Sequence, residues 1–136
     1  MADCIFCKII KGEIPSSKVY EDNHVFAFLD INPINPGHTL IVPKRHSEDF
    51  YGMTEEEIKQ AFTTAKKVAK GVVAGVSAEG FNIGMNNGAV AGQAVMHAHV
   101  HIIPRFPNDG HHHWKGKSYA EGQKEEVCRR IREALK

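Results

Sequence analysis

The stretch His97-Ala98-His99-Val100-His101-Ile102-Ile103 decides how this chain is read. In a strand, every second side chain falls on one face, so the three imidazoles project together while Ala98, Val100 and Ile102 turn to the other. At about 3.3 Å rise per residue, neighbouring imidazoles have roots roughly 6.6 Å apart, near enough for two to meet on one phosphate or one metal ion. The pattern predicts a strand over residues 95–103. Spacing alone leaves three uses open: catalysis, a metal rail of alternate histidines, or a polar solvent face.

Upstream, Asn86-Asn87-Gly88-Ala89-Val90-Ala91-Gly92-Gln93 carries short side chains and two glycines, so its backbone amides can come close to phosphate oxygens. Asn86 and Gln93 add neutral donors. Phe81–Met85 reads as a further strand. Before it, Thr54 with Glu57 three residues on is a capping box, and Ile58, Phe62, Ala65, Val68 and Val72 form the apolar stripe of a long helix ending near Gly75. His38–Val42 is a β-branched strand. Lys18–Glu21 and His24–Asp30 read as a hairpin turning at Asp22-Asn23. Ile5, Phe6, Ile9 and Ile10 recur at helical spacing between Asp3 and Lys11, and Glu121–Leu135 is a charged surface helix carrying Val127, Ile131 and Leu135. Only one β–long helix–β crossover is present, joining the third and fourth strands. The class expected is therefore α+β: a mainly antiparallel five-stranded sheet with segregated helices, one long, one short at the N-terminus and one at the C-terminus.

The 136 residues suffice for one modest core at 42% hydrophobic content, so a single domain over 1–136 is expected, with a core at 3–106 and an extension at 107–136. Seventeen lysines and arginines against 16 acidic residues exclude the strong positive field of a general nucleic-acid or anionic-membrane binder. Any anionic ligand must be held locally. No segment approaches a membrane span, and Met1-Ala2-Asp3-Cys4 does not open like a secretory leader, so a soluble cytoplasmic protein is expected. Three cysteines, two of them as Cys4-x-x-Cys7, suit reduced thiols or metal ligands better than a disulfide framework. Cys128 is expected to be an isolated thiol. His111, His112 and His113 read as a solvated loop.

Neutral imidazole attacks phosphorus directly, so a histidine row beside a Gly-rich loop suits phosphoryl or nucleotidyl transfer. The run His97–Ile103 also resembles the His-x-His-x-His-apolar-apolar signature of the histidine-triad (HIT) nucleotide-binding family, and Gly92-Gln93 stands where that family has Gly-Gln. Ile5–Ile10, Glu13-Ile14-Pro15, Ala27–Ile31 and Gly37–Lys44 resemble family segments in the same order, covering roughly residues 3–106.

The resemblance implies a HIT-like fold and a homodimer paired through the long helix and the sheet edge. It also implies an enzyme acting at the α-phosphate of purine nucleotide derivatives such as nucleoside phosphoramidates. His99 would be the nucleophile forming a covalent nucleotidyl-histidine; His97, His101 and His38 would orient it and stabilise charge. Asp30 would hold the ribose, Asn86 and Gln93 the phosphate or leaving group, and Ile5, Phe6, Ile9, Phe28 and Ile31 the base. Zinc-bearing members imply a structural Zn2+ on Cys4, Cys7, His46 and His97. Ala94 stands where phosphoramidase members often carry serine. Two alternatives are a diadenosine-polyphosphate hydrolase, in which Arg105 would meet the polyphosphate if it is not simply a solvated strand end, and a zinc-stabilised nucleotide-binding or interaction module with little turnover.

Overall fold

The computed structural model describes residues 3–136. A short helix, α1 (Ile5–Ile10), precedes β1 (Lys18–Glu21), β2 (Val25–Leu29) and β3 (Thr39–Pro43); the long α2 (Glu55–Val76) follows, then β4 (Gly80–Gly84), β5 (Val100–Arg105) and α3 (Gln123–Ala134). The five strands form one sheet in the order β1-β2-β3-β5-β4, each pair antiparallel. This is the expected α+β architecture, with β5 inserted between the two strands that α2 connects.

Local chemistry explains the boundaries. The Asp22 carboxylate accepts from the backbone N–H groups of His24 and Val25, which closes the β1–β2 turn. Thr54 caps α2 by accepting from the Glu57 N–H at 3.1 Å, while the Glu57 carboxylate takes Arg45 at 2.6 Å. The helix runs past Gly75 to Val76 and ends at Ser77, whose φ of 57° is left-handed. Its buried stripe is Ala61, Thr64, Ala65, Val68, Ala69 and Val72; Phe62, expected in that stripe, lies on the outer side of the helix and is 37% exposed.

The sheet separates two apolar layers. Val25, Ala27, Ile41, Val100 and Ile102 pack under Ala65, Val68, Ala69 and Val72 of α2. On the opposite face, Phe26, Phe28, Leu40 and Val42 pack under Phe6 and Ile9 of α1. Burying each of these larger side chains contributes about 1.5–3 kcal/mol. The second layer covers only the β1–β3 half of its face, so the β5–β4 half is left open beside the histidines. No residue of α3 is buried.

Candidate functional site

The hydrogen-bonded ladder of β5 begins at Val100, opposite Ile41, and not at residue 95 as expected. The backbone N–H of Ala98 is spent on the Ser47 carbonyl at 2.8 Å, in the loop after β3, and not on a strand ladder. Alternation nevertheless persists: Ala98, Val100 and Ile102 are buried toward the α2 side, and the His99 and His101 rings lie 4.9 Å apart. The Phe6 and His99 rings stand nearly perpendicular, with centroids 5.0 Å apart.

Backbone partners set the proton position on each imidazole. A carbonyl can only accept, so His97 donates from Nε2 to the Pro43 carbonyl at 2.8 Å and leaves its Nδ1 lone pair free. His99 likewise donates from Nδ1 to the His97 carbonyl at 2.7 Å, which leaves the lone pair on Nε2. At His38 the order reverses: the Ile34 N–H donates to Nδ1 at 3.1 Å, so the proton sits on Nε2. That proton is given to Nδ1 of His101 at 2.9 Å, placing the His101 proton on Nε2, a buried atom with no hydrogen-bond partner. The site therefore presents one imidazole lone pair beside one imidazole N–H.

Burial lowers all of these pKa values from the ordinary 6.5. For His101 the neighbouring His99 and His38 add to the desolvation and bring it to about 4. For His99 the His97 carbonyl and the Asp30 charge oppose the shift. The imidazoles are neutral at neutral pH, the state a nucleophile requires. The Asp30 carboxylate lies 3.8 Å from Nε2 of His38 and accepts from the Asn32 N–H.

His97 belongs to a second group. Its Nδ1 lies 3.3 Å from Cys4 Sγ, 3.6 Å from Cys7 Sγ and 3.2 Å from His46 Nδ1, and Cys7 Sγ is 3.5 Å from His46 Nδ1. Tetrahedral Zn2+ with ordinary bond lengths requires S···N edges of about 3.6 Å and N···N edges of about 3.3 Å, so these side chains fit such an ion. The sulfurs converge because Cys4 caps α1, accepting from the Cys7 N–H. Desolvation, with Cys4 beside it, pushes the Cys7 thiol up; a dication at the centre would reverse that.

In the loop at 86–93, Gly88 and Gly92 have φ of 90° and 94°, which other residues rarely adopt. Gln93 is buried inside this loop: its amide donates to the carbonyls of Glu48 at 2.7 Å and Val95 at 3.1 Å, and its oxygen accepts from the Gly88 N–H. Asn86 faces the Gly92 carbonyl at 3.5 Å. Of the residues expected to hold a base, Phe6, Ile9 and Phe28 are interior, whereas Ile5 and Ile31 are exposed, Ile31 at 91%. Cys128 is exposed.

A network absent from the sequence reading flanks His38. Asp109 accepts from Arg105 Nε at 2.8 Å and Nη2 at 3.1 Å, from Asn35 Nδ2 at 3.0 Å, and from the N–H groups of Phe106 and His111. Asn35 also donates to the Pro104 carbonyl, and its own carbonyl accepts the His38 N–H. The only local signal was the turn dipeptide Asp109-Gly110.

An antiparallel α+β sheet with a tautomer-ordered histidine row beside a Cys2His2 cluster defines a class of protein, and comparison supplies the family. The HIT domain model matches residues 11–108, and the chain belongs to the HIT family. Protein hit of Bacillus subtilis is 45% identical over 133 residues, 98% of this chain and 92% of that protein. An adenosine 5'-monophosphoramidase of Saccharomyces cerevisiae is 44% identical, covering 76% of this chain and 63% of its own length. An adenylylsulfatase of Arabidopsis thaliana is 40% identical, covering 79% and 54%. A Streptococcus mutans crystal structure superposes with a TM-score of 0.93 at 40% identity, covering 100% of this chain and 87% of that one. A zinc-bound histidine triad family protein from Mycobacterium smegmatis superposes at 0.78 with 30% identity, covering 98% of each chain.

Proposed function

We propose that this chain is a cytoplasmic nucleotide hydrolase or nucleotidyl transferase that works at the α-phosphate of a purine nucleotide derivative, in double displacement through His99. The observation that carries the reading is the 2.7 Å bond from His99 Nδ1 to the His97 carbonyl, which leaves Nε2 as the attacking lone pair. The imidazolium formed on attack keeps its Nδ1 proton on that carbonyl. His101 Nε2–H donates to the phosphate or the leaving atom, and His38 holds the His101 tautomer. Water then cleaves the nucleotidyl-histidine. The activities named for the yeast and plant relatives, an adenosine 5'-monophosphoramidase and an adenylylsulfatase, support hydrolysis at an adenylyl phosphorus.

Asp30 has a carboxylate oxygen to offer the ribose hydroxyls. Phe6, Ile9 and Phe28, with Ile5 and Ile31 at the surface, would bound the base. Asn86 would reach the phosphate, and Gln93 would act by holding the loop in shape. Cys4, Cys7, His46 and His97 would hold a structural Zn2+, tying α1 to the loop after β3. A homodimer is consistent with the exposed edge strand β4, where Phe81 and Ile83 remain uncovered, and with Phe62 on the outer side of α2. A substrate panel of adenosine and guanosine phosphoramidates, dinucleoside polyphosphates and nucleotide sugars tests the function. Turnover of a nucleoside phosphoramidate is expected; turnover of none of these would overturn it.

A further inference from the structure

The loop from Asp30 to His38 decides where the His38 ring sits. Its ends are closed by backbone bonds: the Asp30 N–H donates to the His38 carbonyl at 2.9 Å, and the His38 N–H to the Asn35 carbonyl at 3.0 Å. The loop lies tight against β5 and the end of α2. Gly37 has a φ of 100°, and a Cβ there would come within 2.9 Å of Val76 Cγ1 and 3.3 Å of Pro104 Cγ. One bond in this loop selects the His38 tautomer, the donation from the Ile34 N–H to Nδ1 at 3.1 Å. A backbone amide can do that only if residues 34 and 35 are held still.

Asp109 holds both. The Asn35 side chain is 8% exposed; its amide donates to the Pro104 carbonyl at 2.9 Å and to Asp109 Oδ2 at 3.0 Å. The Ile34 carbonyl accepts from His111 Nε2 at 2.9 Å, and the His111 backbone N–H is fixed on Asp109 Oδ1 at 3.1 Å. Asp109 itself is buried, and the Arg105 guanidinium, paired through Nε and Nη2, holds its carboxyl far below the usual carboxylate range. Arg105 is anchored in turn by Asn82 Oδ1 at 2.9 Å. A carboxylate that only closed its own turn would need no more than the N–H groups of Phe106 and His111. The bond to Asn35 crosses to a loop 74 residues away, the one that carries His38.

We propose that Asp109 is a positioning residue: through Asn35 and His111 it keeps the Ile34 N–H on His38 Nδ1, and so keeps the protons of His38 and His101 on their Nε2 atoms. Asp109 touches neither substrate nor a reacting atom. Its value to the reaction rests on the reading of His101 as donor to the phosphate or leaving atom. The proton positions, by contrast, belong to the protein alone and are measured without substrate.

The test uses the full-length protein with isotopically labelled histidine at neutral pH, where two-bond proton–nitrogen NMR correlations show which ring nitrogen carries the proton. In the parent, His38 and His101 should both be protonated on Nε2. In Asp109→Ala and in Asn35→Ala, His101 should become a mixture of the two tautomers. In both variants kcat for a nucleoside phosphoramidate should fall about tenfold, with KM within about twofold of the parent. Asp22→Ala is the comparator, because Asp22 closes a turn with the same kind of bonds at the other end of β2 from His38. It should lower Tm and leave tautomers and kcat at parental values. Parental tautomers or parental kcat in a folded Asp109→Ala protein, or an equal tautomer shift in Asp22→Ala, would overturn the assignment. If Asp109→Ala does not fold, Asn35→Ala, which keeps the Arg105–Asp109 pair, decides by the same readings. A tautomer shift in the variants of a parent that turns over no phosphoramidate would support Asp109 as the residue that positions His38 and sink the proposed reaction.

Discussion

Nε2 of His38 lies 2.9 Å from Nδ1 of His101, and because the Ile34 N–H occupies the other nitrogen of His38, the proton between the two rings belongs to His38. His101 is left with a buried Nε2–H that no protein group accepts. The residue before β3 thus sets the proton position on one near the start of β5, and substitution of His38 tests it.

His38→Ala should lower kcat by about 100-fold while changing KM little, since the donor it orients serves the transition state. His38→Gln, whose amide can replace the Nε2 donor, should recover part of the loss. Equal kcat for the parent and the alanine variant in steady-state assays would contradict the relay.

The pH dependence has a defined sign. Burial holds the His99 and His101 pKa values below 6.5, the latter at about 4, so the active neutral forms persist as pH falls below 6.5. A profile of kcat/KM should stay flat from neutral pH through 6.5 and drop only at lower values. Stability follows the same direction: below 6.5 the unfolded chain binds protons that the native chain refuses. Stability is thus lost as pH falls from 6.5 toward 4, by at most about 3 kcal/mol for His101. A kcat/KM profile that falls away above 6.5 would show that the histidines are not desolvated as described.

Cys4→Ser combined with Cys7→Ser should abolish metal content of about one zinc per chain and lower Tm by about 5–10 °C. Metal analysis and thermal denaturation measure the two effects. Full zinc retention in the double variant would eliminate the four-ligand cluster.

Gln93→Ala should cost about 1–3 kcal/mol, because the Glu48 carbonyl and the Gly88 N–H lose their partner. Urea denaturation gives the stability change. KM for a phosphoramidate should rise as the loop loosens, and an unaltered stability would remove Gln93 as the loop's internal brace.

Much of this was legible before any coordinates. Thr54 and Glu57 marked the start of α2, and the single long crossover pointed to an antiparallel sheet, because both signals are local or topological. The strand boundary at residue 95 was not legible: period-2 alternation continues through His97-Ala98-His99 although the Ala98 N–H goes to Ser47 and not to a ladder. Phe62 misled for a related reason, since a helical stripe centred on Ala61 and Ala65 leaves an adjacent large side chain outside. The Cys2His2 grouping was reached through family resemblance; the Cys4-x-x-Cys7 spacing alone said nothing of His46 or His97. Asn35 and Asp109 were invisible because their bonds join loops 74 residues apart, and no periodicity reports such contacts.

The central claim is that His99 carries the nucleotidyl group. Rapid mixing with a nucleoside phosphoramidate, followed by intact-mass analysis under conditions that spare acid-labile phosphorus–nitrogen bonds, measures it directly. The account predicts one transient nucleotidyl adduct per chain, mapped to His99, with adduct and turnover both lost in His99→Ala. A His99→Ala variant that hydrolyses the substrate at the parental rate would contradict it.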